Sequence, residues 1–274
     1  MKIHELSDLL GIPKSTLRMY EKQGVLRSSI CQDNGYHDYS VWDMIFLLEF
    51  LKFRKIGFST AEAAAMLHES DAMDIAQSYE RICSLLQGQI DEKIQIIRYL
   101  QTKISMIKTA PLNLNHFWYE QIPERIGFQN MKTRHGAYSM DSNEQKFQSQ
   151  MMDLLPFSDG VIRIPQSALN EPPEKESGTW FSAFDTRFFP RSSLHEIGQG
   201  EIWPEHTAFC TIVDAGDLGM FSQALYMPLW SHFQQSSHRL SQPYLYGTIL
   251  MRAKKNGVMQ RLMRLELPIE SDTV

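Results

Sequence analysis

The first 23 residues alternate apolar positions with short breaks, and this pattern predicts two short helices. One helical stripe is formed by Ile3, Leu6, Leu9 and Leu10. Gly11-Ile12-Pro13 then breaks the helix with residues suited to its C-terminus. The next segment, Lys14 to Gln23, keeps Leu17 inward and stops at Gly24. Two short helices joined by so few residues predict a helix-turn-helix.

The residues that follow predict a small β-wing. Val25-Leu26-Arg27 has the pattern of a strand, Asp33-Asn34-Gly35 that of a tight turn, and Tyr36-His37-Asp38-Tyr39 that of the return strand. A wing of this kind beside a helix pair is typical of winged helix-turn-helix domains.

Two capping boxes predict the next two helix starts. Ser40 with Asp43, and Ser59 with Glu62, both fit the pattern in which a serine precedes an acidic residue by three positions. The first of these helices is predicted over Val41 to Lys55, and three apolar residues are predicted to face inward: Ile45, Leu48 and Leu51.

A much longer helix is predicted from Asp74 to Lys108, where the chain has no proline and only one glycine, Gly88. Its spacing of four and three marks a heptad seam with one polar break: Tyr79, Cys83, Leu86, Ile90, Lys93, Ile97, Leu100, Ile104 and Ile107. A narrow apolar stripe on so long a helix needs a partner. We expect a second copy of the chain, with packing along its own C-terminal domain as the alternative. The predicted dimer contacts are Leu86, Ile90, Ile97, Leu100, Ile104 and Ile107.

The C-terminal part contains a weak internal repeat, because residues 119–128 return 81 positions later as residues 200–209. This predicts a duplicated βαββ unit, with helices that begin near Asp141 and Asp217. Pro228 is predicted to kink or split the second helix.

Two further features of the C-terminal part are predicted from turn and loop residues. A final hairpin pairs Tyr244 to Ala253 with Val258 to Leu267 around Asn256-Gly257. Residues 166–178, with two prolines and a glycine, predict a mobile loop.

Composition bounds the class of protein. A length of 274 residues with 43% hydrophobic content suits two modest domains. No apolar run is long enough for a membrane span, and the N-terminus lacks a signal peptide, so we expect a cytoplasmic protein with no membrane partner. The widely spaced Cys31, Cys83 and Cys210 are interpreted as reduced thiols. No catalytic constellation, metal site or cofactor is expected.

Charge alone does not indicate a nucleic-acid binder, since the chain has a formal charge of -5 and its first 70 residues hold eight basic against nine acidic residues. The positions of the charged residues do indicate nucleic-acid binding. Lys14, Arg18 and Lys22 recur on one surface of the second helix, where Ser15 and Thr16 could reach base edges or phosphates. An ordinary solvated cationic face is the alternative.

Three ordered segments resemble the MerR-family winged helix-turn-helix over roughly 70 residues: IHELSDLLGIPKSTLRMYEKQGVL, NGYHDYS and FLKFRKIGFSTAEAAAML. The resemblance implies that four residues contact the DNA backbone: Arg18, Tyr20, Tyr36 and Tyr39. It also implies that Arg54, in the helix pair beyond the wing, assists them. The family's wing usually has Gly-Tyr-Arg, and here His37 stands in place of that arginine. His37 is predicted to be a weaker contact to the DNA backbone, and a solvated histidine without a role is the alternative. MerR-like regulators also use an antiparallel coiled coil in the position of the long helix.

The C-terminal pattern of strand, helix and two strands, with its "IPE" phrase and closing RLELPI, resembles the GyrI-like effector-binding fold of BmrR-like drug sensors. Such a fold forms a cleft. The predicted ligand contacts are Tyr138, Trp180, Phe184, Trp203, Tyr226, Tyr244, Tyr246 and Glu266. Tyr244 and Tyr246 share one strand face and form the preferred wall. Glu266 is either a floor carboxylate for a cation or one half of a solvated ion pair with Arg264. Because the strand PYLYGTILM lacks the usual acidic residue, a neutral or anionic ligand stays open.

The sequence therefore predicts an α+β protein with three parts: a winged helix-turn-helix over 1–72, a coiled-coil dimerisation helix over 73–110 and a GyrI-like small-molecule-binding domain over 111–274. Its predicted function is that of a ligand-responsive transcription regulator, a homodimer that binds a near-palindromic operator in promoter DNA. It would distort an overlong promoter spacer on binding a small aromatic or lipophilic effector, and so act indirectly on RNA polymerase. The alternatives are a GyrI-like small-molecule hydrolase and a constitutive architectural DNA-binding protein.

Overall fold

The computed structural model describes residues 1–30, 37–134, 137–139, 155–170, 177–188, 200–219 and 221–270. The chain divides into two compact units, Met1–Glu92 and Lys93–Val274. The helices and strands of the first unit are α1 (Ile3–Leu10), α2 (Lys14–Lys22), β1 (Ser29–Ile30), β2 (His37–Asp38), α3 (Val41–Ile56) and α4 (Thr60–His68), and α5 (Ala72–Thr109) continues into the second unit. Within the described ranges, no helix is long and apolar enough to cross a membrane.

The helix pair α1 and α2 closes over one apolar core, as predicted. Leu6 and Leu17 are fully buried, and Gly11 ends α1 in the left-handed region with φ 66°. Leu9, predicted on the inner stripe, is 62% exposed. That part of the prediction is wrong, because a helix of only two turns buries the centre of its stripe and leaves its flank in solvent.

The inward face of α3 also differs from the prediction. Ile45 and Leu48 are exposed, Leu51 is half-buried, and the buried side chains are Leu47, Phe50 and Phe53. The sequence of α3 is apolar on most sides, so several stripes satisfy helical spacing. The stripe with Phe50 and Phe53 faces inward because both rings pack against other aromatic rings. The ring centroids of Phe50 and Tyr20 are 5.1 Å apart, and those of Phe53 and Phe58 are 6.1 Å apart.

The wing begins later than predicted. Val25 and Leu26 form a bend in which both backbone N–H groups donate to the carbonyl oxygen of Tyr20 at the end of α2, and the first strand is β1 instead. It pairs with β2 in antiparallel register, Ser29 opposite Asp38 and Ile30 opposite His37. The predicted turn at 33–35 and the side chain of Tyr36 lie outside the described residues.

Both capping boxes are confirmed. The Ser40 hydroxyl accepts from the backbone N–H of Asp43, and the Asp43 carboxylate accepts from the backbone N–H of Ser40. Ser59 and Glu62 make the same exchange at the start of α4.

The long helix α5 is confirmed and has two apolar stripes. One stripe, with Ile96, Tyr99 and Met106, packs against the sheet of the second unit. The other keeps the predicted seam in solvent, with exposed fractions of 42–53% at Leu86, Ile90, Ile97, Leu100, Ile104 and Ile107. Packing on the chain's own C-terminal sheet thus accounts for the first stripe, and pairing of the seam with a second copy stays a prediction.

The second unit is built on a nine-stranded sheet. Its strands are β3 (Phe117–Ile122), β4 (Arg125–Arg134), β5 (Ala137–Ser139), β6 (Ser158–Pro165), β7 (Ser177–Asp185), β8 (Glu201–Trp203), β9 (His206–Asp214), β10 (Tyr244–Lys255) and β11 (Val258–Pro268). The order is β3-β9-β11-β10-β6-β7-β4-β5, and β8 pairs with β4. The neighbouring strands are antiparallel throughout.

The order of the strands agrees with the predicted duplication. Two halves, β4-β7-β6 and β9-β11-β10, meet where β6 pairs with β10. The short strand that opens each half pairs with the long strand of the other half, β3 with β9 and β8 with β4. Each half is thus completed by a strand from its counterpart.

The second helix of the duplication, α6 (Gln223–Gln234), begins after Ser222 rather than near Asp217. That start is a correction, because residues 215–219 first turn the chain away from β9. Pro228 lies inside α6 and does not split it. The helix holds together because five of its side chains are buried against the sheet: Leu225, Tyr226, Leu229, Trp230 and Phe233. The predicted helix start near Asp141 lies outside the described residues.

The closing hairpin is confirmed as β10 and β11, with Asn256 at φ 51° and Gly257 at φ 82°. Two consecutive left-handed residues are the geometry of the tight hairpin turn that Asn-Gly favours. The mobile-loop prediction is wrong at its ends, because Gln166–Asn170 is a 3-10 helix with buried Ala168 and Leu169, and Ser177 begins β7. Residues 171–176 lie outside the described part.

Candidate nucleic-acid interface and ligand cavity

A basic groove of about 1210 Å³ runs between α1, α2 and the wing. Six basic side chains line it: Lys2, His4, Arg18, Lys22, Arg27 and His37. Glu21 is the acidic residue among the described lining residues. The groove is thus cationic although the whole first unit is not, which is the charge placement that a phosphate backbone requires.

The structure brings together some of the predicted DNA contacts. Arg18, Lys22, His37 and Tyr39 line the groove, while Lys14, Ser15 and Thr16 lie at the N-terminal end of α2 outside its lining. Of the missed lining residues, Lys2 and Arg27 flank the predicted helices. A search for cations one turn outside each helix would have found them.

Two of the predicted aromatic contacts and the predicted arginine also have structural partners. The Tyr20 ring packs edge-on against Phe50. Tyr39 is 2% exposed, and its hydroxyl donates to Glu21 at 3.2 Å. Arg54 donates from Nη1 to the carbonyl oxygen of Phe58, beyond the end of α3. Their roles toward DNA stay predictions.

Glu21 joins the second helix to the wing. Its Oε1 atom lies 2.7 Å from His37 Nδ1 and accepts from the Ser28 hydroxyl at 2.5 Å. Burial raises the pKa of Glu21, but the hydrogen bonds from Ser28 and His37 and the charge of His37 outweigh burial and hold the pKa below its usual value. Burial, and then the Glu21 charge, raise the pKa of Tyr39 to about 12. The carboxylate is therefore ionised and fixes the position of His37.

The sheet of the second unit has two different faces. One packs on α6 as an apolar core that includes Trp180 and Tyr226. The opposite face carries Trp203 and Tyr246 in a separate aromatic cluster, with Tyr244 packed against it. Three of the predicted ligand contacts, Trp203, Tyr244 and Tyr246, thus share one face, whereas Trp180 and Tyr226 belong to the other.

Two further predicted ligand contacts are set apart from this cluster. Phe184 packs in another core group, with its ring 5.5 Å from Phe128. The side chain of Tyr138 lies outside the described residues.

The aromatic cluster already contains cations. The Arg163 guanidinium carbon lies 4.4 Å from the ring centroid of Phe181 and 4.5 Å from that of Tyr244. Arg125 lies 5.4 Å from the Trp203 ring, in the same way. Because aromatic faces attract cations, these two side chains fill the positions that an organic cation would take.

Glu266 lies on this same face, opposite Tyr246 in the register of β10 and β11, and is completely buried. It is bonded to Arg125, and its Oε2 atom is 3.2 Å from Arg264 Nη2. Burial raises the pKa of Glu266, but the attraction of both guanidinium groups outweighs burial and lowers the pKa below its usual value. The expected ion pair between Glu266 and Arg264 exists. The expectation that it is solvated is wrong, because residues distant along the chain, including Arg125, pack against Glu266 and exclude water.

A polar cavity of about 250 Å³ lies on this face, between the sheet and the last turns of α5. Helix α5 contributes Tyr99, Thr102, Lys103 and Met106 to its lining, and the sheet contributes Arg125 and Arg264 among others. A second cavity of about 200 Å³ shares Met106, Glu120 and Arg264 with it, and is otherwise lined largely by apolar groups, including Trp118, Ile212 and Leu250.

The sequence did not indicate Arg125 or Arg163, because their partners lie on strands that are distant along the chain: Glu266 for Arg125, and Phe181 and Tyr244 for Arg163. No group of three or more His, Cys, Asp or Glu side chains suited to a metal ion occurs in the described part of the chain.

Together, the winged helix-turn-helix and its cationic groove define a DNA-binding regulatory protein. The family model for "MerR HTH family regulatory protein" matches residues 1–70. The HTH-type transcriptional regulator HmrR of Rhizobium leguminosarum bv. viciae is 33% identical over 111 residues, which cover 40% of this chain and 85% of that protein. The chain belongs to the MerR family.

Two further similarities are found. The HTH-type transcriptional regulator CueR of Vibrio cholerae is 27% identical over 108 residues, which cover 39% of this chain and 73% of that protein. A chain from the cryo-electron microscopy structure of the EcmrR-DNA complex is 17% identical to this chain, with a TM-score of 0.35. The match covers 99% of this chain and 100% of the EcmrR chain.

Proposed function

We propose that this protein is a transcription regulator that binds promoter DNA as a homodimer and responds to a small molecule held by its C-terminal unit. The observation that carries the DNA-binding part is the groove between α1, α2 and the wing, where Arg18, Lys22, Arg27 and His37 converge. Such a groove neutralises phosphates and releases counterions, so binding should weaken steeply with salt.

The homodimer is supported by the seam of α5. The isoleucine and leucine side chains of the seam are about half exposed from Leu86 to Ile107, including Ile90, Ile97 and Ile104. A regular row of such residues is uncommon on a lone helix and is the pattern that a coiled coil covers. A two-fold dimer of these heads implies a near-palindromic operator.

The response to a ligand is supported by the lining of the polar cavity. Tyr99, Thr102, Lys103 and Met106 belong to the same helix as the exposed seam, on a different face. A molecule that binds there touches α5 directly, so its binding energy can favour one arrangement of the dimerisation helix over another. The regulator would thereby change the geometry of an overlong promoter spacer and act indirectly on RNA polymerase.

The test is equilibrium DNA binding, with an operator selected from random duplexes and followed by fluorescence anisotropy at several salt concentrations. Arg18→Ala should lower the affinity about tenfold and reduce the salt slope by about one. Arg252→Ala, at an exposed position of the β10 strand, is the matched control and should change neither. A complex that is insensitive to salt, or an equal loss in both variants, would contradict the proposal.

An enzyme is less well supported. A hydrolase based on Glu266 would need a carboxylate of raised pKa that reaches water, whereas this carboxylate is sealed, held by two arginines and lowered in pKa. A constitutive architectural protein would show no change in DNA affinity or thermal stability with any small molecule.

A further inference from the structure

The charges around Glu266 do not balance within the sheet. Arg125 and Arg264 are both buried, with side chains 7% and 12% exposed, and they share this one fully buried carboxylate. Among the described residues, the buried group therefore holds two positive charges and one negative charge.

The other acidic residues near the cavity do not remove this excess. Glu120 lies 3.3 Å from Arg264 Nη1, but its side chain is 39% exposed, so water screens much of its charge. Asp159 is already bonded to Lys103, and Asp185 to Arg187. These two pairs are neutral by themselves.

The two buried guanidinium groups also have unused donors. The Nε atoms of Arg125 and Arg264 are buried and have no hydrogen-bond partner in the described part of the structure. A buried N–H without an acceptor costs about 1–3 kcal/mol. Both arginines line the polar cavity, and Arg264 also lines the apolar one.

We propose that the paired cavities bind a small amphipathic carboxylate, with its charged end beside Arg264 and Arg125 and its apolar part against Trp118, Ile212 and Leu250. A planar carboxylate matches the fork of guanidinium N–H donors and supplies the missing negative charge. The volumes of about 250 and 200 Å³ suit a molecule smaller than drug-sized ligands. The inference rests on the proposed function, since it names the effector class of the same unit.

Lipophilic cations fit this site less well. The aromatic cluster is filled by Arg163 and Arg125, and the Glu266 carboxylate is behind the two guanidinium groups that hold it. A cation in the polar cavity would be repelled where the cavity meets Arg125 and Arg264, and the cavity's carboxylates, Glu120, Asp159 and Asp185, are paired with Arg264, Lys103 and Arg187.

The experiment compares three molecules of nearly equal shape by isothermal titration calorimetry on the full chain: benzoate, benzamide and benzamidine. Benzoate and linear carboxylates from acetate to octanoate form the carboxylate panel. At least one carboxylate should bind with micromolar to millimolar affinity, and the amide and amidine at least tenfold more weakly than benzoate.

Three variants locate the binding. Arg264→Gln should weaken carboxylate binding at least tenfold, because it removes a charge-assisted bond. Arg163→Gln is the matched control, since Arg163 is a partly buried arginine of the same sheet face outside the lining of both cavities, and it should leave the affinity unchanged. Met106→Trp fills the space that both cavities share and should abolish binding without removing a charge, which keeps the test decisive if Arg264→Gln fails to fold.

Benzamidine that binds as tightly as benzoate, a carboxylate that ignores Met106→Trp, or a panel in which no carboxylate binds at millimolar concentration would overturn the inference. The operator-binding assay without ligand separates the two proposals. DNA binding without carboxylate binding defeats only the effector class, whereas absence of DNA binding defeats the proposed function.

Discussion

The Nδ1 atom of His37 in the wing lies 2.7 Å from the Oε1 atom of Glu21 in the second helix of the helix-turn-helix. The same carboxylate oxygen accepts from Ser28 and Tyr39. One side chain thus connects the helix that lines the groove to the base and the return strand of the wing.

Glu21→Gln should loosen the wing without unfolding the core. The amide keeps the shape but loses the charge that three donors share, a change worth about 1–3 kcal/mol of local stability. Hydrogen-exchange mass spectrometry should show faster exchange in the peptide that contains His37 and Tyr39. Glu49→Gln, which breaks an exposed pair with Lys52, is the control and should leave exchange unchanged.

His37→Arg should strengthen DNA binding. Arginine is permanently charged and its planar guanidinium can make two parallel bonds to a phosphate, which the imidazole ring of histidine cannot do. We expect an affinity gain of about threefold to tenfold and a salt slope that is steeper by about one, measured by anisotropy. An unchanged slope would mean that residue 37 makes no phosphate contact and serves only to bind Glu21.

Ile97→Asp should separate the dimer. A charge in the centre of the seam must be desolvated when two helices pair, so the dimer dissociation constant should rise about a hundredfold in sedimentation experiments. Ser105→Asp adds the same charge at an exposed position of α5 away from both the seam and the sheet-facing stripe, and it should leave the dimer intact. A dimer that tolerates Ile97→Asp would show that another surface holds the two chains together.

Glu266→Gln should destabilise the second unit by about 3–5 kcal/mol, because it leaves the buried Arg125 without a negative partner and leaves Arg264 with only the partly exposed Glu120. Urea unfolding followed by tryptophan fluorescence measures this. Glu201→Gln breaks the half-exposed pair with Arg163 and should cost less than about 1 kcal/mol. A small loss in Glu266→Gln would mean that the pair is not a structural centre of the sheet.

The same carboxylate predicts an acid dependence. Its pKa is lowered in the folded state, so its contribution to stability is present above the unfolded pKa of about 4.5 and is lost as the pH falls through the lower folded value. The free energy of unfolding should therefore decrease below about pH 4.5 in the natural chain. It should decrease less steeply in Glu266→Gln, which has no carboxyl group to titrate there.

Local chemistry was predictable, and long-range partners were not. Ser40 with Asp43 and Asn256 with Gly257 act within a few residues, so their capping box and hairpin turn follow from spacing alone. The inward face of α3 depends on which side meets Tyr20 and Phe58, and an apolar helix leaves that choice to the rest of the core.

The candidate cavity shows the same division. Tyr244 and Tyr246 share a face because strand alternation requires it, so their common face followed from sequence, but neither residue lines the polar or the apolar cavity. The partner of Glu266 that matters most, Arg125, is 141 residues away along the chain. No periodic pattern links them, so the buried group and its excess charge became visible only in the folded sheet.

The exchange of opening strands, β3 onto β9 and β8 onto β4, makes each repeat depend on the other for its outer edge. Neither repeat can be cut out and remain whole, since excision would bare the backbone of a long strand and invite aggregation.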